Sequence, residues 1–358
     1  MSPDASVTAG AGSHTAAGPA AGPAAAQGAA EEPYDVVIIG AGPAGLAAGL
    51  NLVRARRRTL MIDSNRPRHS ATLRSHGFIT RDGVPPLELR RIGREEYEAY
   101  PAAEFHMGLV RTVEQLPGAE PSDATAARFT VSTKGMRGEK NRVVTARTVL
   151  IATGLAETLP ALPSIRAWYG TNLHSCIACD GYEEADRALA LIGETDDLAE
   201  HALLISQWTD DLIVFTNGVG QVSDSDESAL AARGIRVDRR PLTDVVGERG
   251  AMTGIQIADG EFVPREGGFV RPRYEAAATF AAALNPATDV HGLIVVDTQG
   301  RTSVPGLYAA GDTTPPGPEQ LLVSAGEGAR AAVAINRELL GPLATHPPLN
   351  LAGRTEVG

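Results

Sequence analysis

Tyr34-Asp35-Val36-Val37-Ile38-Ile39-Gly40-Ala41-Gly42-Pro43-Ala44-Gly45 is the stretch from which the rest of the chain can be read. Val36 to Ile39 is a short, wholly apolar, β-branched run, as in a strand buried on both faces of a parallel sheet. The glycines follow at once, and an Ala/Leu-rich stretch from Leu46 to about Arg56 reads as a helix. A second apolar strand, Thr59-Leu60-Met61-Ile62, ends in Asp63. These are the parts of a dinucleotide-binding βαβ unit. Gly40 permits the tight turn and Gly42 lets the backbone approach a pyrophosphate. Gly45 lets helix and strand pack closely, and Asp63 is placed to bond a ribose hydroxyl. Glycines alone would be a weak signal; between a strand and a helix, with an acid about 20 residues on, they are a strong one.

A second unit of the same kind begins at Ala188-Leu189-Ala190-Leu191-Ile192, with a helix to about Gln207 and a partner strand Leu212-Ile213-Val214-Phe215. Its turn keeps only the first glycine, Gly193. Thr195 and Leu198 stand where the other small residues belong, and Asp196, Asp197 and Glu200 crowd the helix start. An acid suits a helix N-terminus, but a pyrophosphate beside it would meet repulsion of about 1 to 4 kcal/mol per close charge pair. Thr216-Asn217-Gly218 follows the partner strand, with no arginine pair for a 2′-phosphate.

Around these units the chain is legible in outline. Arg66 to Gly83 is irregular and carries His76; Pro85-Pro86 opens a charged helix to about Tyr100. Gly108 to Val113, Arg128 to Ser132 and Arg142 to Thr145 read as a β-meander. Val149-Leu150-Ile151 is a further buried strand, ending in Ala152-Thr153-Gly154, small residues past which a cofactor can run closely. Met252 to Glu261 reads as a hairpin, Leu293 to Val296 as a strand, Thr302 to Asp312 as a strand ending in Gly311-Asp312, and Gln320 to about Leu340 as a helix.

The bounds are those of an ordinary globular protein of 358 residues. A formal net charge of -11 argues against a nucleic-acid or anionic-membrane partner. No apolar run approaches the roughly 20 residues that span a bilayer, and no signal peptide is visible, so a cytoplasmic location is expected. Residues 1–32, rich in Ala, Gly and Pro, are expected to form a disordered tail.

Both cysteines of the chain lie in Cys176-Ile177-Ala178-Cys179-Asp180-Gly181. Two cysteines make no disulfide framework. A structural zinc needs four ligands, commonly from a second CxxC or paired histidines that this chain lacks, so no metal is expected. A CxxC at a helix start instead sets two sulfurs close together and depresses one thiol's pKa, which suits thiol–disulfide exchange.

In this order and spacing, the motifs resemble the low-molecular-weight thioredoxin reductase family from Tyr34 to Leu340. The resemblance implies an α/β fold of two Rossmann-like, three-layer nucleotide-binding domains, the second inserted into the first. Residues 33–157 and 290–341 would form the FAD domain, residues 158–289 a degenerate NAD(P)H-type domain carrying the CxxC, and residues 342–358 a C-terminal tail. FAD and a homodimer are implied with it. Gly40, Gly42, Pro43, Ala44, Gly45 and Asp63 would hold the pyrophosphate and ribose, with Ala152, Thr153 and Gly154 alongside. Gly311 and Asp312 would hold the ribityl-phosphate part, and Gln320, with Leu321 beside it, would meet the flavin ring.

Two departures narrow the resemblance: the lost NADPH residues, and the segments Ser75-His76-Gly77-Phe78 and Gly181-Tyr182-Glu183. Both look like the gliotoxin-type and holomycin-type dithiol oxidase branch, which closes a disulfide in a small natural product and passes electrons to dioxygen. That branch often has His after the second cysteine; here Asp180 stands there, as in the reductases. The expected catalytic set is therefore Cys176 and Cys179 for exchange, with Asp180 as acid/base assisted by His174 or His76. A reductase fed by NADPH or a ferredoxin-like protein, and a non-catalytic flavin redox sensor, are the alternatives.

Overall fold

The computed structural model describes residues 32–118, 125–315 and 317–341. The tails expected over 1–32 and 342–358 lie, apart from Glu32, outside the described residues. The strand Tyr34–Ile39 pairs in parallel with Thr59–Asp63 on one side and with Arg142–Ile151 on the other. Between the first two, Pro43–Arg54 is helical. Ala103–Gln115 and Leu307–Ala309 complete the parallel array at its two edges.

Two long strands serve twice. Residues 103–107 of Ala103–Gln115 pair in parallel with Thr59–Asp63, and residues 108–115 then pair antiparallel with Phe129–Gly135. Arg142–Ile151 does the converse: its first residues pair with Phe129–Gly135, its last with Tyr34–Ile39. The meander and the buried strand expected as separate pieces are therefore continuous chain.

The alternation of the first strand sets three layers. Val36 and Ile38 pack with Leu52, Ala331 and Ile335 on the helical side, where Pro43–Arg54 meets the last helix, Leu321–Glu338. Val37 and Ile39 face Phe129, Ala281 and Ile294 on the other side. Each such fully buried aliphatic side chain contributes about 1.5 to 3 kcal/mol.

The second sheet is wholly parallel, in the order Arg236–Asp238, Leu212–Phe215, Leu189–Gly193, Gly267–Arg271, Leu173–His174. Leu198–Ile205 and Asp224–Ala231 are its helices, and a three-stranded antiparallel sheet from 242 to 264 packs beside it. A two-stranded antiparallel ribbon, Leu155–Thr158 with Arg273–Ala276, lies where the chain leaves the first sheet for the second and returns.

Two expectations are corrected. Leu293 to Val296 is not a strand. It makes a single isolated antiparallel bridge, Ile294 opposite Thr288 with the Val295 amide donating to Ala287, while the Ile294 amide donates to the carbonyl of Thr313. The strand expected up to Asp312 is only Leu307–Ala309.

Candidate active site

Gly40 has φ +108°, and a Cβ there would lie 2.3 Å from the carbonyl oxygen of Ala152. Gly45 carries its helix against the same turn: a Cβ would stand 1.9 Å from the Gly40 oxygen. Only glycine fits either place, whereas a Cβ on Gly42 would meet nothing within 4 Å. The opening at Gly42 belongs to a cleft of about 780 Å³. Gly40, Gly42, Pro43, Ala44 and Asp63 form one end of its wall. Ala152, Thr153, Gly154, Gly311, Asp312, Gln320 and Leu321 line it as well. Gly45 alone of the expected set lies behind the wall.

The charged groups of this cleft are arranged by residues that sequence reasoning missed. Asp63 accepts from the Ala41 amide at 2.7 Å and from Arg90 at 2.9 Å. Arg68 pairs with Asp312 at 2.8 Å, and the Ser324 hydroxyl donates to the same carboxylate. The Gly311 amide donates to Glu327. His69 has its Nε2 buried without a hydrogen-bond partner. Burial, helped by the charges of Arg68 and Arg90, pushes its pKa down to about 4, so the ring is neutral at physiological pH. A buried polar atom without a partner marks a place for a ligand or water; Thr153 Oγ1 is another.

Beside the cleft is a small cavity of about 80 Å³. Arg68, His69, Gln320 and Leu321 line both spaces, so the two share a wall. All five expected catalytic residues, Cys176, Cys179, Asp180, His174 and His76, line the smaller one. The cysteines are joined as a disulfide with Cα atoms 5.2 Å apart. Cys176 caps a single helical turn, Ile177–Asp180, and its carbonyl accepts from the amides of Cys179 and Asp180.

His174 is brought in by the edge strand Leu173–His174. Its Nδ1 lies 3.2 Å from Asp180 and its Nε2 3.5 Å from Glu184. Burial would depress the imidazole, but the hydrogen bonds and charges of the two carboxylates outweigh it and raise the pKa to about 9. The imidazole is thereby favoured in its protonated form between these two acids. His76 stands across the cavity, 3.5 Å from both Asp82 and Glu183.

The pyridine nucleotide-disulphide oxidoreductase pattern matches residues 34–328. The chain belongs to that family. Within this oxidoreductase family its likeness is to thioredoxin reductases. The Listeria monocytogenes enzyme is 27% identical over 84% of this chain and 92% of its own length. A probable thioredoxin reductase of Arthroderma benhamiae is 28% identical, over 52% of this chain and 45% of the relative. The crystal structure of HlmI superposes with a TM-score of 0.79 at 36% identity, covering 88% of this chain and 95% of HlmI. The fold is thus the two-unit α/β architecture of thioredoxin reductase-like disulfide oxidoreductases, whose members are typically FAD flavoproteins. The glycine cradle, the open face at Gly42 and the orphaned Nε2 of His69 fit that cofactor. No helix among the described residues is long and apolar enough to cross a membrane.

The second nucleotide-binding unit of this oxidoreductase is closed on itself. Leu198 is fully buried, and its methyl groups take up the space over Gly193 and Gly220. Asp197 accepts from the Thr195 hydroxyl at 2.6 Å and pairs with Arg271 at 2.7 Å. Burial alone would raise the pKa of Asp197; Arg271 and Thr195 overcome that and hold it below its ordinary value. Asn217, at the end of the neighbouring strand, donates to Glu194 at 2.8 Å and accepts from the Leu242 amide. The groups that would receive a pyrophosphate and ribose are bonded to one another.

Proposed function

We propose that this protein is a FAD-dependent dithiol oxidase, which closes a disulfide in a small-molecule dithiol and delivers the electrons to dioxygen as hydrogen peroxide. The observation that carries the reading is the self-bonded second nucleotide unit around Asp197, Arg271, Glu194 and Asn217. The likeness to HlmI supports the same branch.

One substrate thiolate attacks Sγ of Cys176, breaking the Cys176–Cys179 bond and releasing Cys179 as a thiolate. The second substrate thiol displaces Cys176, so the product leaves with its own S–S bond. The cysteine pair now holds two electrons and the single proton brought by the second substrate thiol, as one thiol and one thiolate. FAD, when bound, supplies the two-electron relay from that pair to dioxygen. Gly40, Gly42 and Asp63 would hold its pyrophosphate and ribose end, and Gln320 and Leu321 its ring end. The His174 imidazolium stabilises the Cys179 thiolate formed as the disulfide opens, donates its proton to it and regains one from the second substrate thiol, with Asp180 holding the ring in place. The narrow cavity of about 80 Å³ suits a small dithiol.

A second reading keeps the reductase direction, with NADPH or a ferredoxin-like protein as donor, and is favoured by the likeness to the Listeria thioredoxin reductase. Anaerobic mixing with NADPH separates the two. The oxidase reading expects the flavin absorbance to persist; rapid bleaching by NADPH would sink it. Oxygen uptake with dithiothreitol is the complementary positive test, and no turnover there would instead favour a redox sensor.

A further inference from the structure

Glu183 and Glu184 follow the disulfide turn as two adjacent acids, and their fates differ. The Glu183 side chain is 44% exposed, whereas that of Glu184 is 6% exposed. Glu184 is seated between Arg187, whose guanidinium donates to it, and His174. The seat is built for a carboxylate. A Cβ on Gly267 would come within 2.5 Å of Glu184 Oε2, so glycine at the start of strand Gly267–Arg271 makes the room. Arg187 is itself anchored by donating to the Glu266 carbonyl.

We propose that Glu184 is a positioning residue for the disulfide chemistry: it holds the far nitrogen of His174, and with Asp180 fixes the ring between two carboxylates. The inference rests on the proposed role of His174 as proton donor but not on the identity of the electron acceptor. Asp180 and Glu184 are the charged groups that face His174 from the turn and the segment after it. Arg187 stands behind Glu184. From strand Gly267–Arg271 the neighbour is the uncharged ring of Phe269, 6.2 Å away. With both carboxylates the ring is charged up to about pH 9. With one removed, burial regains weight and the proton is lost nearer neutrality.

The test is the NMR titration of His174 in the oxidised, FAD-loaded protein, assigned by its absence in H174N. Because the resting enzyme is observed, the result is independent of whether dioxygen or NADPH lies at the other end. Glu184→Gln is expected to lower the His174 midpoint by at least one pH unit, and Glu184→Asp to restore most of it. Gly267→Ala, which leaves every charge in place but crowds the carboxylate, is expected to lower it in the same direction. The basic limb of the activity profile should move with the midpoint. If Glu184→Gln folds and leaves the midpoint in place, the proposal is overturned. If that variant does not fold, an unchanged midpoint in Gly267→Ala overturns it equally.

Discussion

Cys176 and Cys179 announce themselves by spacing, but the side chains that govern them do not. Substituting Cys179 by Ser removes the sulfur released in the first exchange. Oxygen uptake with dithiothreitol is expected to fall at least about 10³-fold, while FAD binding, read from absorbance, is retained. Asp180, His174 and His76 could be singled out because they sit in or near recognisable segments. Glu184 could not: beside Glu183 it reads as one more solvated acid, and only the fold separates the two. His69, Arg68 and Arg90 were equally silent, because their meaning depends on meeting Asp312 and Asp63 across the cleft. Two of these histidines make opposite demands on pH. His174 has its pKa raised to about 9, so its stabilisation is complete below about pH 6.5 and is lost as pH rises toward 9. His69 has its pKa lowered to about 4, so stability is lost as pH falls from about 6.5 toward 4. Chemical denaturation across pH should therefore show a maximum near 6.5. His69→Asn should flatten the acid side and His174→Asn the alkaline side, each by a few kcal/mol at most.

At the scale of elements, the strand–turn–helix at Tyr34–Arg54 was readable because every residue serves one local purpose. The apolar run is buried, and the glycines stand where backbone meets backbone. Gly45→Val would drive a side chain into the Gly40 carbonyl, and its expected outcome is a loss of about 2 kcal/mol or more together with release of FAD during gel filtration. Elements with divided duties were harder. The strand Arg142–Ile151 looked like two pieces because its two halves face different partners. The strand Gly267–Arg271 was not read at all, since its leading glycines hide a segment buried between Leu189–Gly193 and Leu173–His174. Conversely, Leu293 to Val296 has strand composition but finds one bridge, Ile294 to Thr288, and no ladder to extend it; local composition cannot supply a partner.

For the molecule as a whole, the decisive contrast is between two βαβ units of one ancestry of form. One keeps its glycines and opens onto a large cleft; the other keeps only Gly193, has Thr195 and Leu198 at the other two places, and bonds Asp197 to Thr195 and Arg271. This loss was legible in the sequence as missing glycines. The gain, the separate pairs Arg271–Asp197 and Asn217–Glu194, was not, because Arg271 is some 74 residues distant from Asp197. Ligand-linked stability reads the difference. FAD at about 100 times its dissociation constant should stabilise the protein by about 2.7 kcal/mol, seen as a rise in Tm. Millimolar NADPH should leave Tm unchanged, and a clear rise would show that the second unit still binds a nucleotide.

The wall formed by Arg68, His69, Gln320 and Leu321 touches both the large cleft and the small cavity. A chromophore seated on one side of a shared wall is a gauge of what occupies the other. A monothiol or thioether that enters the small cavity without reacting should displace the visible bands of the flavin in proportion to its occupancy. With FAD bound, the protein would carry its own indicator, and candidate substrates could be ranked by colour before any turnover is measured.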